Sequence, residues 1–219
     1  KFTSCFELQP TITLMINYQS IVDSSEDLPW VALVTTGRVG SDFFQSLLDG
    51  HPEIFVFNGP LFFHEFWETA ASTQDADRLD MDDIVVEFIG KHIEKLKSRY
   101  DLQERKNELG EKRNQSIDIS VDEFRAHLCN LLECTKLTRK NFLRAVFLSW
   151  ALCLGQDLSQ KKVFFHHLHH IWKLPLYLSD FPDSKVLSMT RDPRAAYVSG
   201  VEHWKRYNPT TDHGIHAFN

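Results

Sequence analysis

The chain has 219 residues, 42% of them hydrophobic, which is enough for one substantial domain with its own core. A formal net charge of −6 argues against a nucleic-acid binder, a class that usually carries a basic face. No apolar run approaches the roughly 18 residues of a membrane-spanning helix. Cys5, Cys129, Cys134 and Cys153 lack a C-x-x-C metal spacing and read as reduced, buried thiols of a cytoplasmic protein.

Lys1 to Asp23 is polar throughout and has no signal-peptide core; the chain starts without Met, so this says little about the native start. Trp30 to Thr35 reads as a short strand whose near-continuous apolar run suits the middle of a parallel sheet. Gly37 and Gly40 permit a tight turn after it. Phe43, Phe44, Leu47 and Leu48 then form one face of a helix that Gly50-His51-Pro52 stops. Ile54 to Phe57 is a second strand. Helices follow: Ile84, Val85, Phe88, Ile89, His92, Ile93 and Leu96 keep a 3.6 period, as do Phe124, Leu128, Leu131 and Leu132, and then Phe142, Val146, Phe147, Trp150 and Leu154. Asp101 to Ser120 is rich in Glu, Lys, Arg and Asn and reads as a solvated loop or frayed helix. Val163 to Phe165 and Lys185 to Met189 are two more strands, and a helix begins near Pro193, a residue suited to a first turn. Strand–loop–helix units of this kind predict an α/β domain with a parallel sheet, with ligands bound beyond the carboxyl ends of the strands.

Two segments sit at such ends. Val34-Thr35-Thr36-Gly37-Arg38-Val39-Gly40-Ser41 joins the first strand to its helix. Arg191-Asp192-Pro193-Arg194-Ala195-Ala196-Tyr197-Val198-Ser199 joins the last strand to its helix. Unpaired N–H groups and the helix dipole favour anions at these junctions, so two of them suggest a ligand with two anionic groups. The first is not a Walker A loop: its glycines are three apart and no Lys follows Gly40. An Arg fork matches a tetrahedral oxyanion. Against this, Arg38 could simply face water at an ordinary strand–turn–helix junction, and Arg191 could pair with Asp192 or Asp183. Arg194 reads as a surface salt-bridge partner before a ligand contact.

The pair of segments resembles the PAPS-dependent sulfotransferases of the bacterial and Golgi-type branches, PAPS being 3′-phosphoadenosine 5′-phosphosulfate. The likeness covers roughly residues 30–68 and 161–205. Its flanks are Leu47-Leu48-Asp49-Gly50-His51-Pro52 and Phe181-Pro182-Asp183-Ser184-Lys185-Val186. The resemblance implies a P-loop-like three-layer fold with a short central parallel sheet flanked by helices. It implies one sulfotransferase domain over 1–219 that lacks its C-terminal segment. Thr36, Gly37, Arg38, Val39, Gly40 and Ser41 would then hold the 5′-phosphosulfate, with Arg38 also offsetting charge as the sulfuryl group leaves. Arg191 and Ser199, eight positions apart, would hold the 3′-phosphate. PAPS would be the co-substrate, without a metal, and the acceptor a small molecule or glycan. Asp42 departs from the pattern, which has Ser or Thr there, and a carboxylate beside a phosphosulfate is repulsive.

The family places a base, His or Glu, just after the second strand, where this chain has Phe62-Phe63-His64-Glu65-Phe66-Trp67. Glu65 is the first candidate and His64 the second; adjacent helical residues point about 100° apart, so the two are not expected to face one site. His166, His167, His169 and His170 form a dense cluster, but strand alternation sends His166 and His167 to opposite faces and no partner has diagnostic metal spacing. His167 or His169 would line the acceptor or sulfate site. Two other functions stay open: an inactive relative that still binds PAPS, and another nucleotide-dependent transferase such as a small-molecule kinase.

Overall fold

A computed structural model describes residues 16–35, 37–57, 59–72, 80–97, 117 and 119–207. Thr36 and the stretch 101–116 lie outside the described residues, so the loop expected over 101–120 is described only at its end.

Four parallel strands form one sheet in the order β2-β3-β1-β4: β1 (Trp30–Thr35), β2 (Ile54–Val56), β3 (Val163–His170) and β4 (Lys185–Met189). Helices flank it, giving the α/β class that the strand–loop–helix units predict. Side chains alternate with the pleat. Trp30, Ala32, Val34, Phe55, Phe57, Phe164 and Leu168 join the large core on one face, whereas Leu33, Val56 and Phe165 form a second cluster on the other.

The large core is aromatic. Trp30 stacks on Phe164 at 4.3 Å between centroids, and Phe164 on Phe55 at 4.4 Å, a ladder across three strands in register. Aromatic pairs contribute about 0.5–1.5 kcal/mol each beyond their buried area. Over this face lie α3 (Phe63–Ser72), α4 (Met81–Lys97), α5 (Val121–Glu133) and α6 (Arg139–Cys153). Every residue of α6 from Phe142 to Ala151 is buried; the two polar ones stay within the helix, Arg144 donating to Asn141 and Ser149 to the Ala145 carbonyl. Ser120 caps α5 by accepting from the Glu123 amide, and Thr138 caps α6 by accepting from the Asn141 amide. α1 (Tyr18–Ser25) packs its Val22 into the same core.

The opposite face carries the smaller cluster, and α2 (Ser41–Ser46) packs against it through Phe44. Here the expected helical face is corrected. Phe44 and the following Leu48 pack against the cluster, but Phe43 and Leu47 are 70% and 63% exposed. The helix ends in under two turns, at Ser46, and neighbouring residues point about 100° apart, so one of each pair turns outward.

β3 runs five residues beyond the expected Val163–Phe165. Pairing with β1 carries it through the histidines as far as His170, with a bulge between the Leu33–His167 and Val34–His169 pairs. Two further α-helices follow, α7 (Leu174–Asp180), tied to α6 by the Arg139–Asp180 ion pair, and α8 (Pro193–Tyr207), with short 3-10 turns at Leu158–Gln160 and Ile171–Lys173. Among the described residues no helix is long and apolar enough to cross a membrane. Cys129, Cys134 and Cys153 are free and partly buried rather than fully so; burial pushes the Cys153 thiol up to about 11.

Candidate functional site

The site forms where β1 and β4 end. Three of the four residues from Gly37 to Gly40 take positive φ: Gly37 at +83°, Arg38 at +52° and Gly40 at +92°. A Cβ at Gly37 or Gly40 would meet nothing within 4 Å, so the loop needs glycine there for its dihedrals and not for space. Arg38 adopts the left-handed region without that freedom, at a cost on the order of 1 kcal/mol, and such strain concentrates at functional sites.

The two junctions meet. Arg38 Nε donates to Ser199 Oγ at 3.3 Å, and Arg38 Nη1 donates to His203 Nδ1 at 3.3 Å. Arg191 Nη1 donates to the Arg38 carbonyl at 3.3 Å. Arg191 is therefore engaged with the first loop, and among the described residues it forms no ion pair with Asp192 or Asp183, although its charge helps to lower the Asp192 carboxyl. Asp192 is instead gripped by Arg194, whose Nε and Nη2 donate at 3.1 and 2.6 Å. That contact holds the Asp192 carboxyl below its usual range and leaves Arg194 on the surface.

A cavity of about 360 Å³ opens at this convergence, on the scale of small-molecule sites. Gly37, Arg38, Gly40 and Ser41 line it from the first loop, and Arg191, Ser199 and His203 from the second junction; Asp42, Phe43, Pro60 and His169 complete the wall. Asp42 makes no ion pair with Arg38 among the described residues. Val39 is buried, so its side chain belongs to packing.

The two base candidates separate. His64 is fully buried, its ring 5.7 Å from those of both His166 and Tyr177, and among the described residues neither of its nitrogens has a hydrogen-bond partner. Burial, with Arg139 and Lys173 nearby, depresses its pKa to about 3. Glu65 is half-buried at the start of α3, where its Oε1 lies 2.6 Å from His170 Nδ1. Neither lines the cavity.

The β3 histidines divide as alternation requires. His166 faces the core and stacks at 5.8 Å on Tyr177. His167 faces α2, where its Nδ1 lies 2.9 Å from Gln45 Oε1, and its Nε2 lies 3.3 Å from His169 Nδ1. His169, at φ +64° beside the bulge, reaches the cavity wall; bulges commonly re-aim side chains in this way. Among the described residues no group of three or more His, Cys, Asp or Glu could hold a metal ion.

Two contributors were not singled out by motif reading. His203 follows Ser199 by one helical turn on α8, a spacing that puts both on one face and could have exposed it. Gln45 follows Ser41 by one turn on α2, but nothing in the sequence marks its contact with a residue 122 positions away. No family model, curated protein or solved structure matches the chain.

Proposed function

We propose that the chain is a sulfotransferase domain of P-loop-like type that moves the sulfuryl group of PAPS to a hydroxyl or amine of an acceptor. The observation that carries this reading is the convergence of Arg38, Arg191, Ser199 and His203 on one cavity. That wall offers two guanidinium groups and a hydroxyl, donors that fit a nucleotide with separated anionic groups. Arg191 and Ser199 would take the 3′-phosphate. Arg38, held at the cavity by Ser199 and His203, would take the phosphosulfate.

In the reaction the bond from sulfur to the bridging phosphate oxygen breaks as the acceptor oxygen or nitrogen bonds to sulfur. The acceptor proton passes to a base, and adenosine 3′,5′-bisphosphate leaves. Charge grows on the bridging oxygen, where a fixed guanidinium is most effective. The base that the geometry favours is His169. It lines the cavity and is oriented by His167, whereas His64 is sealed in the core and Glu65 is paired with His170. His203 also lines the wall but accepts from Arg38. Asp42 on the same wall favours a second reading, an inactive relative that binds the nucleotide, since its carboxylate opposes the anion. Turnover of PAPS separates the two.

The test of the nucleotide site is Arg191→Ala. Loss of a charge-assisted contact costs about 1.5–3 kcal/mol, so affinity for adenosine 3′,5′-bisphosphate falls roughly tenfold or more. Affinity for adenosine 5′-phosphate stays nearly unchanged. Equal loss for both ligands by calorimetry would remove Arg191 from the 3′-phosphate.

A further inference from the structure

Gln45 is 1% exposed, and its amide has only one orientation that fits its surroundings. Its Nε2 donates to two backbone carbonyls, those of Phe57 and Gly59. Carbonyls only accept, so the amide nitrogen must face them and Oε1 must face His167. An amide oxygen also only accepts. His167 Nδ1 therefore carries a proton. His167 is buried, and desolvation together with the neighbouring His169 and His166 depresses its pKa to about 3, so the ring is neutral. With its proton on Nδ1, its Nε2 is a lone pair. The atom facing that lone pair is His169 Nδ1, which must donate. Each link leaves one choice for the next.

We infer that Gln45, acting through His167, is the positioning residue that holds a proton on His169 Nδ1, so that Nε2 is the basic nitrogen whenever the ring is neutral. The relay starts at two backbone carbonyls and ends on the cavity wall, so it ties the tautomer of His169 to the backbone conformation at Phe57 and Gly59. Free neutral imidazole prefers the opposite tautomer, with the proton on Nε2. A ring so arranged has no lone pair on Nε2 and accepts no proton there until it first changes tautomer. Gln45 thus decides whether His169 is poised as a base. Its role rests on the reading of His169 as the proton acceptor, but the tautomer itself is a property of the chain without any ligand.

The test is nitrogen-15 NMR of the histidine-labelled full chain at pH 8, with no substrate present and His167→Gln and His169→Gln used to assign the signals. Both His167 and His169 should carry their proton on Nδ1. His169 protonated on Nε2 in the wild-type chain would overturn the inference, whatever the turnover. In Gln45→Met, which keeps the volume and removes both the donor and the acceptor, His169 should move to the Nε2–H form. Turnover should then fall roughly 10- to 100-fold, the scale on which partners that orient an imidazole act, with affinity for adenosine 3′,5′-bisphosphate unchanged. An unchanged His169 tautomer in Gln45→Met would also overturn it. Should Gln45→Met not fold, Gln45→Asn withdraws the same contact by one methylene and is read in the same way. An intact tautomer with no turnover of PAPS would leave the relay standing and count against the sulfotransferase reading instead.

Discussion

Unfolding free energy should fall by about 4 kcal/mol between pH 8 and pH 5 from two buried histidines alone, His64 and His167. Both have folded-state pKa values near 3 against a usual 6.5, because burial disfavours the imidazolium. At pH 8 both are neutral in either state and contribute nothing to the pH dependence. Below 6.5 the unfolded chain takes up two protons that the folded chain refuses until pH nears 3. Stability therefore drops as pH falls through this window, by about 2 kcal/mol per group at pH 5. His166 is depressed in the same direction by its burial and by His64, and adds to the loss. Urea denaturation at the two pH values measures the drop. His64→Leu should recover about half of it, since neither ring nitrogen of His64 has a partner to lose among the described residues. Equal stability of the wild-type chain at pH 8 and pH 5 would mean that these rings are not buried neutral.

The second large effect is on chemistry. His169→Asn should lower turnover of PAPS by roughly 10²- to 10⁴-fold, the usual contribution of a positioned base. Binding of adenosine 3′,5′-bisphosphate should be retained, because Arg191 and Ser199 are untouched. Glu65→Gln should do far less. It removes the charge from the contact with His170 and keeps an acceptor oxygen there; the His170 ring lies 5.0 Å from that of His169, so the proposed base feels the change only at one remove. If Glu65→Gln removes activity and His169→Asn does not, the base is Glu65, and the cavity must extend toward α3 when the acceptor binds.

The parts of the site that were legible in the sequence are those carried by local pattern. An apolar run, glycines three apart and an arginine define the first loop, and the Arg191–Ser199 spacing defines the second. Each needs only strand and helix geometry. That the two segments touch is a tertiary fact, and the motifs hinted at it only because each sits at the carboxyl end of a predicted strand. The helix of Phe43, Phe44, Leu47 and Leu48 was legible as an element but not in its packing, because α2 is too short to bury a whole face. The extent of β3 was hidden for a different reason. Four histidines in five residues resemble no strand pattern, yet β1 supplies the ladder that holds them. The residue proposed as the base was the least legible. His64 and Glu65 are adjacent in an aromatic stretch, and only the fold shows that one is sealed in the core and the other turned toward His170. The Gln45–His167 contact has no sequence signal at all, since the two side chains meet only through the packing of α2 on the sheet.

The central claim is that the cavity between Arg38 and Arg191 selects a nucleotide by its 3′-phosphate. Isothermal titration calorimetry of the wild-type chain with adenosine 3′,5′-bisphosphate, adenosine 5′-phosphate and ATP tests it most directly. The account predicts saturable binding of the bisphosphate at least tenfold tighter than either of the other two, as one charge-assisted contact to the extra phosphate requires. Equal affinity for all three, tighter binding of ATP, or no binding of the bisphosphate would contradict it.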